Sequence, residues 1–255
     1  MFSAHTEQQT KKMRTKTLLL GAAAIAASVA TSMAANVYSV NVVGYINVTA
    51  QPGFNIIANQ LDVDGVDAIS TVLNATTPAS QDGAEVLKFV NGNFSSDFYA
   101  ATLTDGLGFI GWYDGITGNP STNTIAPGVG IFYFNPASTN ITLTLTGTVV
   151  QGTNSVSLPA GFSLISTIAP QAIVLDTTAT NNFPAIDGDE YLPWVNGNFG
   201  TADFYAASLS DGLGFIGWYD SVLGNQVYPT PAVGSGFFLY NNGASTSWTR
   251  NFEVQ

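Results

Sequence analysis

The decapeptide DGLGFIGWYD stands at Asp105–Asp114 and again, unchanged, at Asp211–Asp220. Each copy sets two rings beside an acid: Trp112, Tyr113 and Asp114 in the first, Trp218, Tyr219 and Asp220 in the second. An aromatic face stacks well against the apolar side of a sugar ring, and a carboxylate accepts hydrogen bonds from hydroxyls, so these trios are candidate carbohydrate-binding platforms. The same residues also suit a core. Along a strand, Leu107, Phe109 and Tyr113 share one face and Ile110 and Trp112 the other, the pattern of a central strand buried on both sides.

A second group of acids has the look of a hard-cation site. DVDGVD places Asp62, Asp64 and Asp67 like half a calcium loop, while Asp82-Gly-Ala-Glu85 answers Asp187-Gly-Asp189-Glu190. Oxygen ligands at alternating positions suit calcium, but the twelve-residue loop with its closing Glu is absent. Solvated turns account for the same acids without any ion. A glycoside hydrolase would need two carboxylates about 5–10 Å apart, for which Asp97 with Asp105, or Asp203 with Asp211, are the candidates. Their spacing does not separate them from ordinary turn aspartates.

Other chemistry is limited by what the chain lacks. A basic stretch (Lys11, Lys12, Arg14, Lys16), an apolar run from Leu18 and the small-x-small triplet Ser32-Met33-Ala34 are the three parts of a secretory signal peptide. The expectation is a leader over residues 1–35, cleaved near Ala34 or Ala35, with Met13 a more natural start than Met1 and residues 1–12 an over-called start. The remainder would be exported to the cell surface, the periplasm or the medium. It keeps Lys88 and Arg250 against sixteen carboxylates, a net charge of about −14. Such a surface repels nucleic acid and anionic lipid. The only histidine, His5, lies in the leader, and the chain has no cysteine. Disulfides, thiolate nucleophiles, zinc–thiolate sites and Ser–His triads are therefore excluded.

The elements that must hold these residues come in two copies. NGNFSSDFYAATLTDGLGFIGWYDGITGN (Asn91–Asn119) matches Asn196–Asn225 at 22 of its 29 positions, with one inserted residue. PGFNIIA at Pro52 answers AGFSLIS at Ala160, and GIFYFN at Gly130 answers GFFLYN at Gly236. A repeat of about 107 residues predicts two homologous domains, 36–147 and 148–255. Short runs rich in Val, Ile, Thr and aromatics, divided by Gly, Pro and Asn, predict an all-β fold of antiparallel sandwich or barrel-like units. ITLTLTGT alternates like a half-solvated strand, and Asn91-Gly92 and Asn196-Gly197 are type I′ hairpin signatures. One short helix is expected over Val66–Leu73, with Asp64 as its cap, and one turn or none at Ala172–Asn182. No linker divides the copies, so the last strand of the first should feed the first strand of the second.

Each copy resembles the all-β module of uncharacterised exported bacterial tandem-repeat proteins. The resemblance rests on VNVVGYINVT (Val40–Thr49) after a signal peptide, a PAGFSLIS strand, a central GWYD strand and a PGVGIFYF closing strand (Pro127–Phe134). It implies a cell-surface or extracellular setting and carries no catalytic residue. Taken together, the sequence predicts a secreted, non-enzymatic structural or matrix protein that self-associates through strand edges. A carbohydrate-binding module is the second expectation, and cell-surface glycans would then be partners. No cofactor is expected beyond calcium.

Overall fold

The computed structural model describes residues 42–73, 81–103, 106–178, 181–209 and 212–254. Among these residues, chain order gives seventeen strands and one helical turn. The first half holds β1 (Val43–Ala50), β2 (Gly53–Ala58), α1 (Ile69–Val72), β3 (Glu85–Val90), β4 (Asn93–Ala100), β5 (Gly111–Asp114), β6 (Gly130–Asn135) and β7 (Ile141–Thr148). The second holds β8 (Gly152–Leu158), β9 (Gly161–Ile165), β10 (Glu190–Leu192), β11 (Trp194–Val195) and β12 (Asn198–Phe199). It closes with β13 (Asp203–Ala206), β14 (Gly217–Asp220), β15 (Gln226–Val227), β16 (Phe237–Asn241) and β17 (Thr246–Phe252). The all-β class predicted from the sequence is the fold observed.

Each half lays a two-stranded ribbon over a larger antiparallel sheet. β1 pairs with β7 across the sheet β2-β6-β3-β4-β5, and β8 pairs with β17 across β9-β16-β10-β13-β14-β15. The period-two alternation explains the layering. Leu143 and Leu145 of β7 are buried against the sheet while Thr142 and Thr146 face water. From β6, Ile131 and Tyr133 enter that core with Val86, Tyr99 and Trp112. The second core is built alike, with Phe237, Leu239, Tyr191, Tyr205 and Trp218 under Val156, Leu158 and Trp248.

Two local expectations meet different outcomes. Asn91-Gly92 and Asn196-Gly197 both adopt positive φ, about 50° then 80°, the I′ geometry that closes β3–β4 and β11–β12. The helix, by contrast, shrinks to Ile69–Val72, and its N-cap is Ala68 without a side-chain bond. Asp64 is not the cap. It lies upstream at φ 58°, where its Oδ1 accepts from Val66 N. Ile69, Val72 and Leu73 are buried, but Val66 is exposed, so the apolar stripe holds only a single turn on the core. Residues 171–178, 181 and 182 contain no helix.

Residues 41–255 form one compact unit, and within it the halves meet through the sheet faces that turn away from the two cores. Their contact is reciprocal. Ala58 N donates to Gly234 O at 2.9 Å, and Ser166 N donates to Gly128 O at the same distance. A Cβ on Gly130 would stand 3.0 Å from Leu164 and 3.1 Å from Ile165 O; one on Gly236 would stand 2.9 Å from Ile56 and 3.1 Å from Ile57 O. Every partner here is the repeat equivalent of its counterpart, so the halves are related as two subunits in an isologous dimer. Gln60 and Ser166 complete the seam in polar fashion. Gly234 N donates to Gln60 Oε1, Gln60 Nε2 donates to Ser166 Oγ, and Ser166 Oγ donates to Ser235 O.

Candidate functional site

The repeated decapeptide is core rather than a platform. Trp112 and Trp218 are 1% and 3% exposed, and Tyr113 and Tyr219 are buried beside them. Trp112 packs 5.4 Å from Tyr99, and Trp218 lies 5.3 Å from Tyr205 and donates its indole N–H to Leu175 O. Rings closed in this way have no face for a sugar, which corrects the stacking role expected of Trp112, Tyr113, Trp218 and Tyr219. Nor is the whole decapeptide a strand. Among its described residues only the GWYD segment is, and β5 lies at the edge of its sheet instead of the centre. Before it the chain bends so that Tyr113 Oη donates to Phe109 O and accepts from Phe109 N. The Phe109 ring then covers residue 111, where a Cβ would lie 2.3 Å from Phe109 Cε2, so only glycine fits.

Asp114 and Asp220 close turns. Asp114 Oδ1 accepts from Ile116 N, Thr117 N and Thr117 Oγ1, and these bonds, led by Thr117, hold its carboxyl below the ordinary carboxylate range. Asp220 Oδ1 accepts from Val222 N and Leu223 N at 2.8 and 2.7 Å. Across the sheet these acids face Asp97 and Asp203. Buried Asp97 accepts from Ser121 Oγ and Asn123 Nδ2, on a core face shared with Lys88. The repeat equivalents of those three partners are Pro193, Val227 and Pro229. Asp203, desolvated and facing Asp220, is accordingly pushed up to about 6. Asp105 and Asp211, the other members of the proposed hydrolase pairs, lie outside the described residues.

The aspartates among the candidate calcium ligands likewise accept from backbone amides. Asp62 accepts from Gly65 N, Asp67 from Val63 N, Asp82 from Ala101 N and Asp187 from Ala207 N. Asp189, buried and raised in pKa mainly by desolvation, accepts from Ile186 N and Asn242 N. Burial also raises Asp67. Glu85 and Glu190 begin β3 and β10. Among the described residues, no three acidic or histidine side chains gather where they could hold an ion.

What the fold does assemble is a cleft between the halves, about 490 Å³ in volume and lined only by Phe, Leu and Trp. Its walls are repeat equivalents facing one another. Phe132 and Phe238 form the floor, their ring centres 6.1 Å apart. Phe89 reaches across to Phe238 at 5.3 Å, and its equivalent Trp194 reaches Phe132 at 5.0 Å. Leu87 and Leu192 flank them, and Phe54, Phe94, Phe162 and Phe199 form the rim. Phe94, Phe162 and Phe199 are about half exposed, so the mouth is open to water. The one polar ring atom turns away from the cavity, since Trp194 Nε1 donates to Phe54 O at 3.0 Å. No ionisable group lines the space.

The sequence reading missed this site although every wall residue lay within a recognised strand or hairpin. A signal was present: in GIFYFN and GFFLYN both alternate positions are apolar, so the outer face of β6 and β16 needs covering as well as the inner one. Comparison with protein-family models, with curated proteins and with solved structures returned no match.

Proposed function

We propose that this chain is an exported, non-enzymatic surface or matrix protein whose working part is the aromatic cleft, through which it makes apolar contact with a partner. The observation that supports the reading is the all-carbon lining of an open cavity, whose wall carries no ionisable side chain. Ligand sites of this volume combine an apolar wall with a few polar groups that orient the ligand. Here those polar groups are missing. A sugar or an extended peptide would bring hydroxyls or amides into a space that cannot pair them, at a cost of about 1–3 kcal/mol for each buried group. The cleft therefore selects hydrocarbon surface and disfavours carbohydrate.

An uncharged naphthylamine dye tests this without interference from the acidic surface. Emission is expected to rise and saturate at one dye per chain, with Trp194 as the energy donor inside the cleft. A folded Phe94→Ser/Phe199→Ser variant should lose at least tenfold in dye affinity. Equal binding by that variant, or no saturable binding by the native chain, overturns the reading.

A further inference from the structure

Arg250 stands where the first half has a leucine. β17 pairs with β8 as β7 pairs with β1, so Arg250 opposite Asn154 answers Leu145 opposite Ile46. In the aligned stretches PGFNIIANQL and AGFSLISTIA, Ala169 answers Leu61. Ile46, Leu61 and Leu145 are all buried in the first core. Their counterparts Asn154, Ala169 and Arg250 instead surround a small hollow together with Thr167, Ile168 and Trp248, with about 10 Å³ of free space. Loss of the leucine at 169 supplies the room, and the arginine supplies donors. Arg250 Nε and Nη1 are buried, and neither has an acceptor in the chain. Nη2 alone is bonded, to Gln171 Oε1 at 3.4 Å. Burial lowers the pKa of the guanidinium, and no carboxylate opposes that shift. Asp62 and Asp67 line an adjoining hollow with Asn154, but they accept from Gly65 N and Val63 N instead. A buried charge is normally retained only where something of opposite sign pairs with it.

We infer that Arg250 holds one monatomic anion, chloride in ordinary buffers, in the hollow between β8, β17 and the chain that follows β9. The size of the space sets the class of ligand. It takes a single water or an ion of similar radius, so sulfate, phosphate and carboxylates are too large. Water fits, but it leaves the positive charge uncompensated. A halide fits and compensates it, accepting from a guanidinium N–H that has no other partner. The first half needs no such ion, because leucine and isoleucine fill the same place with carbon. The acidic surface opposes an anion at low salt, and at 0.5 M screening removes most of that opposition. The site is separate from the aromatic cleft, and the inference does not depend on what the cleft does.

Anion exchange at constant ionic strength tests the proposal. The purified native chain should melt about 2–4 °C higher in 0.5 M sodium chloride than in 0.5 M sodium gluconate, whose anion is too large for the hollow. Arg250→Leu, which installs the residue of the first half, should melt alike in the two salts. Arg250→Gln keeps a polar side chain without the charge and should also melt alike, so the test stands if either variant folds poorly. In solution NMR the native chain should broaden the chloride resonance in proportion to its concentration, and both variants should lose most of that broadening. A chloride preference of equal size in the native chain and the variants is a general salt effect and overturns the proposal. Equal melting of the native chain in the two salts also overturns it, as does chloride broadening that the variants retain. A native chain that does not broaden the resonance overturns it too, and is the result expected of a hollow filled by water alone.

Discussion

Asp203 and Asp97 occupy the same place in the two halves and should respond oppositely to the same change. Asp97 is buried with Ser121 and Asn123 as donors, so Asp97→Asn turns an amide N–H toward groups that need an acceptor. Loss of about 1–3 kcal/mol of stability is expected by denaturant unfolding at pH 7. Asp203 is desolvated opposite Asp220 and titrates at about 6, above the ordinary 3.8. The folded state thus holds that proton more tightly than the unfolded one. The ionised carboxylate destabilises the fold fully above pH 6, the penalty fades between 6 and 4, and below the ordinary value it vanishes. Asp203→Asn should therefore raise the melting temperature at pH 7.5 and lose that advantage by pH 4. An advantage that does not vary with pH would show that another effect is at work.

At the scale of elements, the hairpin β4–β5 and its equivalent β13–β14 anchor each core through a tryptophan. Trp112→Ala or Trp218→Ala should cost about 3–5 kcal/mol, seen as an earlier denaturation midpoint. If either variant kept native stability, these rings would not be the core residues their burial makes them. The strict repetition of DGLGFIGWYD follows from several demands falling on one short stretch. Phe109 must lie over Gly111, Tyr113 must clamp Phe109, the indole must fill the core, and the final acid must close a turn. The decapeptide does not join the halves. That contact comes from the outer faces of β2, β6, β9 and β16 and from the residues around the Asn-Gly turns.

For the whole molecule, the close approach of the two halves depends on glycine. At Gly236 an added methyl would stand 3.1 Å from the Gly130 Cα and from Ile57 O, and backbone cannot yield as a flexible side chain does. Gly236→Ala should part the sheets at their closest approach, at a cost of about 1–3 kcal/mol, and should weaken dye binding severalfold by displacing the floor rings Phe132 and Phe238. A variant with native melting and native dye affinity would show that the seam is not rigid. None of the helices among the described residues is long and apolar enough to cross a membrane.

The sequence by itself determined the local terms. Alternation chose strands, Asn-Gly chose the I′ turns, and Thr-Leu alternation in β7 chose which face is wet. Each of these depends on neighbours within a few residues, so composition and spacing suffice to read it. Asp64 as a helix cap was misread because the loop around Asp67 uses its carboxylates on its own amides. Only the tertiary structure decided whether Trp112 and Trp218 meet water, which of two matching aspartates is left facing its neighbour, and where the second apolar face of β6 and β16 goes. Those answers depend on residues more than a dozen positions apart brought within a few ångströms, as when Ser121 meets Asp97 or Phe89 meets Phe238. The cleft exists only because one copy of the repeat packs on the other, and neither copy alone contains it.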